Sequence, residues 1–451
     1  MNSIELKTAL SLALIYATRM LGLFMILPVF SIYAENLDQV TPLLVGLAIG
    51  VYGLTQAILQ IPFGAWSDRI GRKPVIIIGL LIFVLGSIVA ASATSIYWVI
   101  IGRALQGAGA IASAIMALAS DLTREQHRTK VMAIIGASIG ASFMLALIIG
   151  PLLQGWIGVQ GIFWMTAVLA IISISVVALL IPTPVTQIHH ATLDQATLRT
   201  VLSDRQLLRL DLGVFTLHMI LTAMFVVIPL ILRDRFMIVV DMHWQIYLGV
   251  MLISLILLAP VVILSEKYSK TKLAFLLAIV LCATSHLFLY TQPETISGFF
   301  IAMVIFFWGF NLLEASMPSL VSKFSNPVSK GLSMGVFSSS QFMGAFIGGV
   351  MAGTIVQNFG HNDVFIFAFI MFLLWFLVAL SMRNPIGYET LTIDLKEIDQ
   401  QQRESFVRGC YDIQGVTDVT VISEEQIAYV RTNKSVFQQH QFNKLQCDYK
   451  L

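Results

Sequence analysis

The stretch Gly64–Lys73, with the sequence GAWSDRIGRK, decides the fold of this chain. It lies between two long apolar segments, and its charged residues are one acid and three bases, Asp68, Arg69, Arg72 and Lys73. Its glycines, Gly64 and Gly71, permit a tight turn and a close approach between helices. A membrane protein rarely keeps so many charges in so short a connection. The stretch therefore predicts a functional loop at one membrane face, and the simpler alternative is an ordinary basic turn.

The composition predicts an all-α membrane protein. Hydrophobic residues make up 57% of the chain and charged residues only 12%, whereas a soluble domain carries about 25% charged residues. A membrane span needs about 20 apolar residues. Twelve segments meet this requirement, and we number them spans 1 to 12. They cover residues 6–33, 43–65, 74–93, 96–118, 129–153, 160–181, 211–235, 245–264, 271–290, 294–318, 331–356 and 362–382.

The basic residues predict the orientation in the membrane. Most of the 27 Lys and Arg residues fall in loops on the side of the N terminus, and the loops on the opposite side hold only Arg233 and Arg235. This bias predicts that both termini are cytoplasmic in a bacterial inner membrane. Span 1 is too long for a cleaved signal core, so we expect it to act as the insertion signal.

The cysteines predict neither a disulfide nor a metal site. Cys282 falls within a span, and Cys410 and Cys447 are expected to be free thiols in the cytoplasm. The sequence has no Cys-x-x-Cys pair or Cys/His cluster, so no metal and no cofactor are predicted. The adjacent pair His189–His190 is a weak metal signal, and a solvated linker is the preferred interpretation.

The two halves of the chain repeat each other. When Pro62 is aligned with Pro260, acidic, basic and glycine positions also coincide: Asp68 with Glu266, Arg69 with Lys267, Arg72 with Lys270, and Gly150 with Gly348. Such repeats are typical of secondary transporters, which bind substrate at the membrane midplane between the halves. We therefore predict two pseudo-symmetric six-helix bundles, residues 1–185 and 209–384, joined by a cytoplasmic linker, residues 186–208. Chance identity in apolar sequence is the alternative.

Four ionisable residues stand out inside the spans, where each costs about 2.5–3.5 kcal/mol on insertion scales. They are Arg19 in span 1, Arg103 in span 4, His218 in span 7 and Glu314 in span 10. A buried carboxyl can load and release a proton in each cycle, so Glu314 is predicted to be the main proton carrier, with His218 as its partner or relay. The alternatives are a permanently paired structural acid and an interior histidine without a functional role.

The arginines cannot release protons at a usable pH. Arg19 and Arg103 could instead hold anionic substrate groups, pair with Glu314, or orient the field in a central cavity. Trp308 and Asn311 share span 10 with the acid and could line the same cavity, although Trp308 could equally face lipid.

Three motifs resemble those of the major facilitator superfamily. The opening stretch resembles its loop between helices 2 and 3, G-x-x-x-D-R-x-G-R-[RK], and GRALQGAG at residues 102–109 resembles its span 4 motif R-x-x-Q-G-x-G. The resemblance implies the twelve-helix fold of that superfamily, a central cavity lined by spans 1, 4, 7 and 10, and a link between Arg103 and proton coupling.

A third motif lies in span 5. Residues 136–155 resemble the antiporter motif G-x₈-G-P-x-x-G-G through Gly140, Gly150, Pro151 and Gly155. One extra residue separates the first glycine, and Trp156 replaces the last. This resemblance implies a drug–proton antiporter. The sequence RMLGLFMILP in span 1, residues 19–28, also resembles drug–proton antiporters. A structural kink without directional meaning is the alternative, since proline removes a helix hydrogen bond.

The resemblance also implies a gating role for the opening stretch. Asp68 would lie at the N-terminus of span 11, near Lys330 and Gly331, where a carboxylate is stabilised by about 0.3–2 kcal/mol. It would hold the two halves together on the cytoplasmic side. Arg72 would pair with Asp121 at the cytoplasmic end of span 4.

Residues 388–451 form a polar, alternating tail. The pattern predicts strands at YETLTIDLK (388–396), GVTDVTVIS (415–423) and QIAYVRT (426–432), with a turn at Ser423–Glu425. It predicts helices at Asp399–Cys410, capped by Asp399, and at Ser435–Leu445, and at most a short fourth strand at Cys447–Leu451. The order β-α-β-β-α suggests a small α+β ferredoxin-like domain.

A superfamily core followed by such a tail resembles the YajR-type transporters. The tail has no metal-binding cysteine loop and is too acidic for an obvious nucleic-acid binder. A regulatory ligand, a dimer contact and a passive cap all remain open for it.

The predicted function is proton-driven antiport that exports small amphipathic or drug-like compounds. The partners expected are the small-molecule substrate, protons and the lipid bilayer. A proton-coupled uptake symporter and a transceptor, in which the tail signals, are the alternatives. An enzyme is not expected, and the sequence has no phosphate-binding Gly-x-x-x-x-Gly-Lys-[Ser/Thr] loop to use ATP.

Overall fold

The structure is a computed structural model. It describes residues 3–183, 195–268, 270–325, 329–384, 388–395, 398–422, 426–433 and 436–449. The His189–His190 pair and the predicted turn Ser423–Glu425 lie outside the described residues.

The described part of the chain crosses back and forth twelve times. Eleven helices are long and apolar enough to span a membrane, and one of them, Glu125–Leu179, holds two spans. The spans of the first half are Ser3–Phe24, Pro42–Ile70, Arg72–Ala91, the pair Ile96–Ala108 and Ala112–Asp121, and Glu125–Leu179. Those of the second half are Arg205–Asp234, His243–Lys267, Thr271–Tyr290, Ile296–Phe324, Lys330–Asn358 and Asp363–Leu380. Short helices Phe30–Ala34 and Gln195–Ser203 lie outside the spans. The twelve-helix fold class is confirmed.

The opening stretch is mostly helix, so the prediction of a ten-residue loop was wrong. Span 2 continues through Ile70, and the turn consists of Gly71 alone, whose φ is 98°. Residues with a side chain rarely adopt this backbone conformation, whereas glycine adopts it readily. Gly64 serves close packing instead, because a Cβ atom there would lie 3.0 Å from Ser113 Oγ of span 4.

Three other span boundaries differ from the prediction. Span 1 ends at Phe24 rather than near residue 33, because Pro28 lacks a backbone N–H and disfavours helix before it. Span 4 is interrupted between Ala108 and Ala112. Spans 5 and 6 are separated only by Gly158, with φ 68° and ψ 174°.

The two halves pack closely at one end of the bundle. We call the end that holds Gly71 the inner end and the opposite end the outer end. Towards the outer end, span 2 crosses span 11 so tightly that a Cβ atom at Gly46 would lie 2.0 Å from the carbonyl oxygen of Gly349. Gly53 has the same relation to Phe342, at 2.4 Å. Glycines let helix backbones approach in this way in membranes.

Hydrogen bonds reinforce the closure at the outer end. Arg233, at the end of span 7, donates to both carboxylate oxygens of Glu35, at 2.5 and 2.8 Å. Ser31 Oγ donates to the carbonyl oxygen of Phe225 at 3.2 Å. Within the described part of the chain, all three of the hydrogen bonds that we find between the halves lie at this end.

The inner end is open between the halves. Cβ atoms placed at Gly136 and Gly140 of span 5, or at Gly331 and Gly335 of span 11, would meet no heavy atom within 4 Å. These helices touch the opposite half only further out, as at Gly155, where a Cβ atom would lie 3.2 Å from Asp241 Cβ. We therefore call this structure the inward-open form of a two-bundle architecture, meaning that it is open at the end that holds Gly71.

The tail forms the predicted small α+β domain. Strands β1 (Tyr388–Asp394), β2 (Val416–Ile422) and β3 (Ile427–Asn433) make an antiparallel sheet in the order β1-β3-β2. Asp399 caps helix Gln400–Tyr411 in a capping box with Gln402. The last helix is Gln439–Asp448, which begins later than predicted and occupies the first residues of the proposed fourth strand.

The tail packs its own core and also touches the membrane domain. Phe406, Val430 and Phe442 are among its buried residues. Arg431 of β3 donates to the carbonyl oxygen of Lys323, in the last turn of span 10. Helix ends leave such carbonyls without partners inside the helix, and a cation is favourable there.

The thiols are expected to differ sharply in reactivity. Burial raises the pKa of the Cys410 thiol to about 12, so almost none of it is thiolate at pH 8. Cys447 is exposed and Cys282 is buried within span 9. N-ethylmaleimide at pH 8 should therefore modify Cys447 and spare Cys410 in the folded protein, as peptide mass spectrometry would measure. Equal modification of both cysteines would show that the core of the tail is open to the reagent. In denaturant, as a control, the two cysteines should be modified equally.

Candidate functional site

A polar cluster lies among spans 7, 10 and 11. His218 Nε2 lies 3.7 Å from Glu314 Oε2. The amide nitrogen of Gln341 is 2.7 Å from His218 Nε2 and 3.5 Å from Glu314 Oε1. Three helices of the second half thus bring an imidazole, a carboxyl and an amide together in the membrane.

The hydrogen bonds around His218 suit a neutral ring. Its Nδ1 is 3.2 Å from the carbonyl oxygen of Val214, one turn earlier on the same helix. That oxygen can only accept, so Nδ1 carries the hydrogen and Nε2 is free to accept from the Gln341 amide. A proton arriving at Nε2 would meet the amide NH₂ group. Gln341 would then have to turn its oxygen towards the ring, or Glu314 would have to move closer.

Glu314 is more exposed than His218. Its side chain is 39% exposed, against 11% for His218. Its Oε2 atom is nevertheless buried and has no hydrogen-bond partner, since 3.7 Å is too long for one. One carboxyl oxygen therefore faces the imidazole without a hydrogen bond. A small movement of either side chain would let a proton pass between the carboxyl and the ring.

Aromatic rings form an apolar wall beside the cluster. The Phe310 ring lies 6.0 Å from that of His218. Phe143 of span 5 contacts Phe225, Phe307 and Phe310 of the opposite half at 6.1–6.5 Å between ring centroids. The wall closes the space between the halves on its outer side. It leaves an amphipathic lining, with rings next to a titratable group.

Two other predicted residues of span 10 do not join the polar cluster. The Asn311 amide nitrogen donates to Ser254 Oγ of span 8 at 3.1 Å. Trp308 is half-buried, and its indole nitrogen is buried without a hydrogen-bond partner. Asn311 thus ties span 10 to span 8, and the Trp308 indole retains an unused donor.

The two arginines form a separate cluster in the first half. Arg19 and Arg103 are both buried, and their guanidinium carbons lie 5.8 and 5.1 Å from the ring centroid of Tyr52. Arg19 donates to the Gln56 amide oxygen at 2.5 Å, and Arg103 donates to that of Gln106 at 3.0 Å. Among the described residues no ion pair joins either arginine to Glu314. The structure brings the titratable pair together and keeps the arginines apart from it.

An aromatic contact connects the two clusters. The Tyr52 ring lies 6.5 Å from that of Phe342, which follows Gln341 in span 11. The arginines and the His218–Glu314 pair therefore flank one crossing of spans 2 and 11, the crossing at which the halves meet.

Most of the charged residues of the opening stretch engage the first half. Arg72 pairs with Asp68 on the preceding turn, donates to Asp121 Oδ2 at 3.1 Å, and donates to Ser67 Oγ at 2.7 Å. The Arg72–Asp121 pair is the one that the sequence predicted. Lys73 Nζ donates to the carbonyl oxygen of Ile181, after span 6, at 2.8 Å, whereas Arg69 is exposed.

Asp68 has no hydrogen bond or ion pair with the start of span 11 in the described structure. The inner end is open there, since nothing lies within 4 Å of a Cβ atom at Gly331. The predicted contact between Asp68 and span 11 would require a closed inner end, and it stays a prediction.

The span 5 motif divides into a packed part and an open part. A Cβ atom at Gly150 would lie 2.6 Å from the carbonyl oxygen of Met25, so this glycine lets span 5 meet the end of span 1. The helix continues through Pro151, and the chain reverses later, at Gly158. Gly140 is exposed, and a side chain there would meet open space.

Gln341 and Tyr52 are the functional candidates that sequence reasoning missed. Gln341 ends the run Ser338–Gln341, four polar residues inside an otherwise apolar span. That run was a readable signal. Tyr52 gave none, because a tyrosine inside a span is equally common as packing.

The comparisons with known proteins agree with this architecture. The sequence profile of the Major Facilitator Superfamily matches residues 12–310 and 212–393. The inner membrane transport protein YajR of Escherichia coli is 39% identical over 434 residues, which is 96% of this chain and 95% of YajR. The multidrug resistance protein MdtH of Aeromonas salmonicida is 26% identical, over 74% of this chain and 84% of MdtH.

A solved structure shows the same fold. It is a bacterial homolog of the human lysosomal transporter Spinster in an inward-facing, occupied conformation, with a TM-score of 0.70 and 13% identity over 84% of this chain and 97% of that one. Profile, relatives and fold agree: the chain belongs to the major facilitator superfamily and is a secondary transporter, not an enzyme.

Proposed function

We propose that this transporter is a proton-driven antiporter that exports small amphipathic compounds across the bacterial inner membrane, with both termini in the cytoplasm. The observation that carries the proposal is the cluster of His218, Glu314 and Gln341. A carboxyl and an imidazole lie 3.7 Å apart inside the bundle. Intramembrane ionisable groups of this kind mark proton and substrate pathways.

The cycle follows from the open inner end. A substrate enters from the cytoplasm and lies between the phenylalanine wall and Glu314, where it favours loss of the bound proton to the cytoplasmic side. The halves then rock until the outer end opens, a proton binds from outside, and the substrate leaves. Each inward proton contributes about 2.3 kcal/mol per 100 mV of membrane potential, which is comparable to the bias that alternating states require.

Two further observations support export of an amphipathic compound. The site places aromatic rings beside a titratable carboxyl–imidazole pair, as an amphipathic molecule requires. Among the relatives is a multidrug resistance protein, and the span 5 glycines resemble the antiporter motif. In the outward-open state, we propose that Asp68 moves onto the start of span 11 while Arg72 keeps Asp121, so that the opening stretch closes the inner end.

The test is proton movement in everted vesicles energised by respiration. Addition of ethidium, acriflavine or tetraphenylphosphonium should release protons from the lumen, seen as a rise in the fluorescence of a lumenal pH dye. Vesicles without the protein should show none of this. Compounds that drive lumenal acidification instead would identify an uptake symporter. A panel of amphipathic cations and anions that moves no protons in either direction would refute proton coupling.

A further inference from the structure

An acidic residue outside the predicted site lies between the polar cluster and the inner end. Asp211 is in the second turn of span 7, Arg205–Asp234, and is only 8% exposed. Among the described residues its carboxyl has no hydrogen bond and no ion pair. Other acids at the inner end do have partners, as Asp121 has in Arg72.

The position of Asp211 relates it directly to His218. The two residues are seven apart in one helix, so they lie on nearly the same face, about 10 Å apart along its axis. Between them is Val214, whose carbonyl oxygen is the partner of His218 Nδ1. A proton leaving His218 or Glu314 towards the cytoplasm therefore passes the level of Asp211.

The charged groups around Asp211 do not fix its carboxyl in one protonation state through an ion pair. At this end of its own helix and of the neighbouring elements, the charged residues are the bases Arg199, Arg205, Arg209, Lys323, Lys330 and Arg383 and one acid, Asp204, which caps span 7 by accepting from the backbone N–H groups of Gln206 and Leu207. None forms an ion pair with Asp211 in the described structure. A buried carboxyl without a partner is costly in a membrane helix, and both of its oxygens remain available to exchange a proton with water.

We propose that Asp211 is the inner relay of the proton pathway. Its carboxylate accepts a proton through water from the His218–Glu314 pair, becomes the neutral acid, and releases the same proton to cytoplasmic water. No other bond forms or breaks. This inference rests on the proposed proton coupling, and it adds a residue that sets the rate of proton transfer rather than the binding of substrate.

The experiment follows protonation without any substrate. The full-length protein in lipid is subjected to a rapid pH drop, and the carbonyl stretch of protonated carboxyl groups is followed by time-resolved infrared spectroscopy in a buffer without carboxylates. Glu314→Gln identifies the band of that residue. In Asp211→Asn, the Glu314 band should reach its full amplitude but appear at least about tenfold more slowly, because a positioned proton-transfer group contributes roughly 10²–10⁴-fold.

Two further samples separate a relay from a merely structural role. Asp211→Glu should restore the rate, and azide, a small weak acid without a carbonyl band, should accelerate Asp211→Asn while leaving the parent unchanged. Asp38→Asn, which alters an exposed acid at the outer end, is the matched control. An unchanged rate in Asp211→Asn, or a loss that azide does not repair, overturns the relay. A missing Glu314 band in the parent overturns the proposed function instead.

Discussion

Replacing Glu314 by glutamine is expected to abolish proton-driven transport while preserving exchange of substrate across the membrane. Glutamine keeps the size of the side chain and can still contact the Gln341 amide, but it cannot load a proton. Uphill transport driven by a pH gradient should fall by at least about 10²-fold. Exchange of labelled for unlabelled substrate should stay within about twofold, because rocking of the loaded protein needs no net proton transfer. Proteoliposomes with an imposed pH gradient measure both.

Glu294→Gln is the matched control for that change. Glu294 is exposed near the outer end, before span 10 begins at Ile296, so the same acid-to-amide change there should leave both activities intact. If Glu314→Gln transported substrate uphill as fast as the parent protein and with the same dependence on pH, Glu314 would have no part in proton coupling. Loss of both activities would instead indicate a role in substrate binding or in folding.

Alanine at Gly349 is expected to prevent closure of the outer end. The added Cβ atom would lie 2.3 Å from the carbonyl oxygen of Gly46, and backbone cannot yield as a flexible side chain does. Overpacking of this kind costs about 1–3 kcal/mol, which corresponds to a 5- to 150-fold change in the balance of two conformations. Transport should fall by about that factor. On a background without native cysteines, a cysteine at Ser31 should become more reactive with a membrane-impermeant thiol reagent.

Gly335→Ala provides the comparison within the same helix. It makes the same chemical change in span 11, where nothing lies within 4 Å of the new atom in the inward-open form. It should therefore leave the thiol reactivity at the outer end unchanged. If Gly349→Ala transported normally and kept Ser31→Cys protected, the crossing of spans 2 and 11 would not be the contact that closes the outer end.

The architecture was predictable because hydropathy and charge distribution act over long stretches. The spans and the βαββα order of the tail each rest on many residues, so single exceptions did not matter. The pairing of Arg72 with Asp121 was accessible through the motif. The proximity of His218 to Glu314 was predictable only as a tendency of spans 7 and 10 to share one cavity.

The remaining features depend on how each helix is rotated about its own axis and on single residues, and the sequence does not specify either. Nothing in the order of residues states that Gln341 points at His218, or that Arg19 and Arg103 turn towards Tyr52 rather than towards Glu314. The helical course of Gly64–Ile70 was missed because charges and glycine were taken as loop signals, although the backbone needs a positive φ only at Gly71. Asp211 was overlooked because it stands at the predicted edge of a span.

Gly158 has a mechanical consequence for the first half. With one residue joining spans 5 and 6, the connection has no slack, and neither helix can tilt or slide without dragging the other. Spans 5 and 6 therefore move as one rigid unit. The movement that opens the outer end must come from rotation of the whole first bundle or from bending of helices in the second. A longer connection between spans 5 and 6 would let them move separately, so less of the movement would reach the outer end.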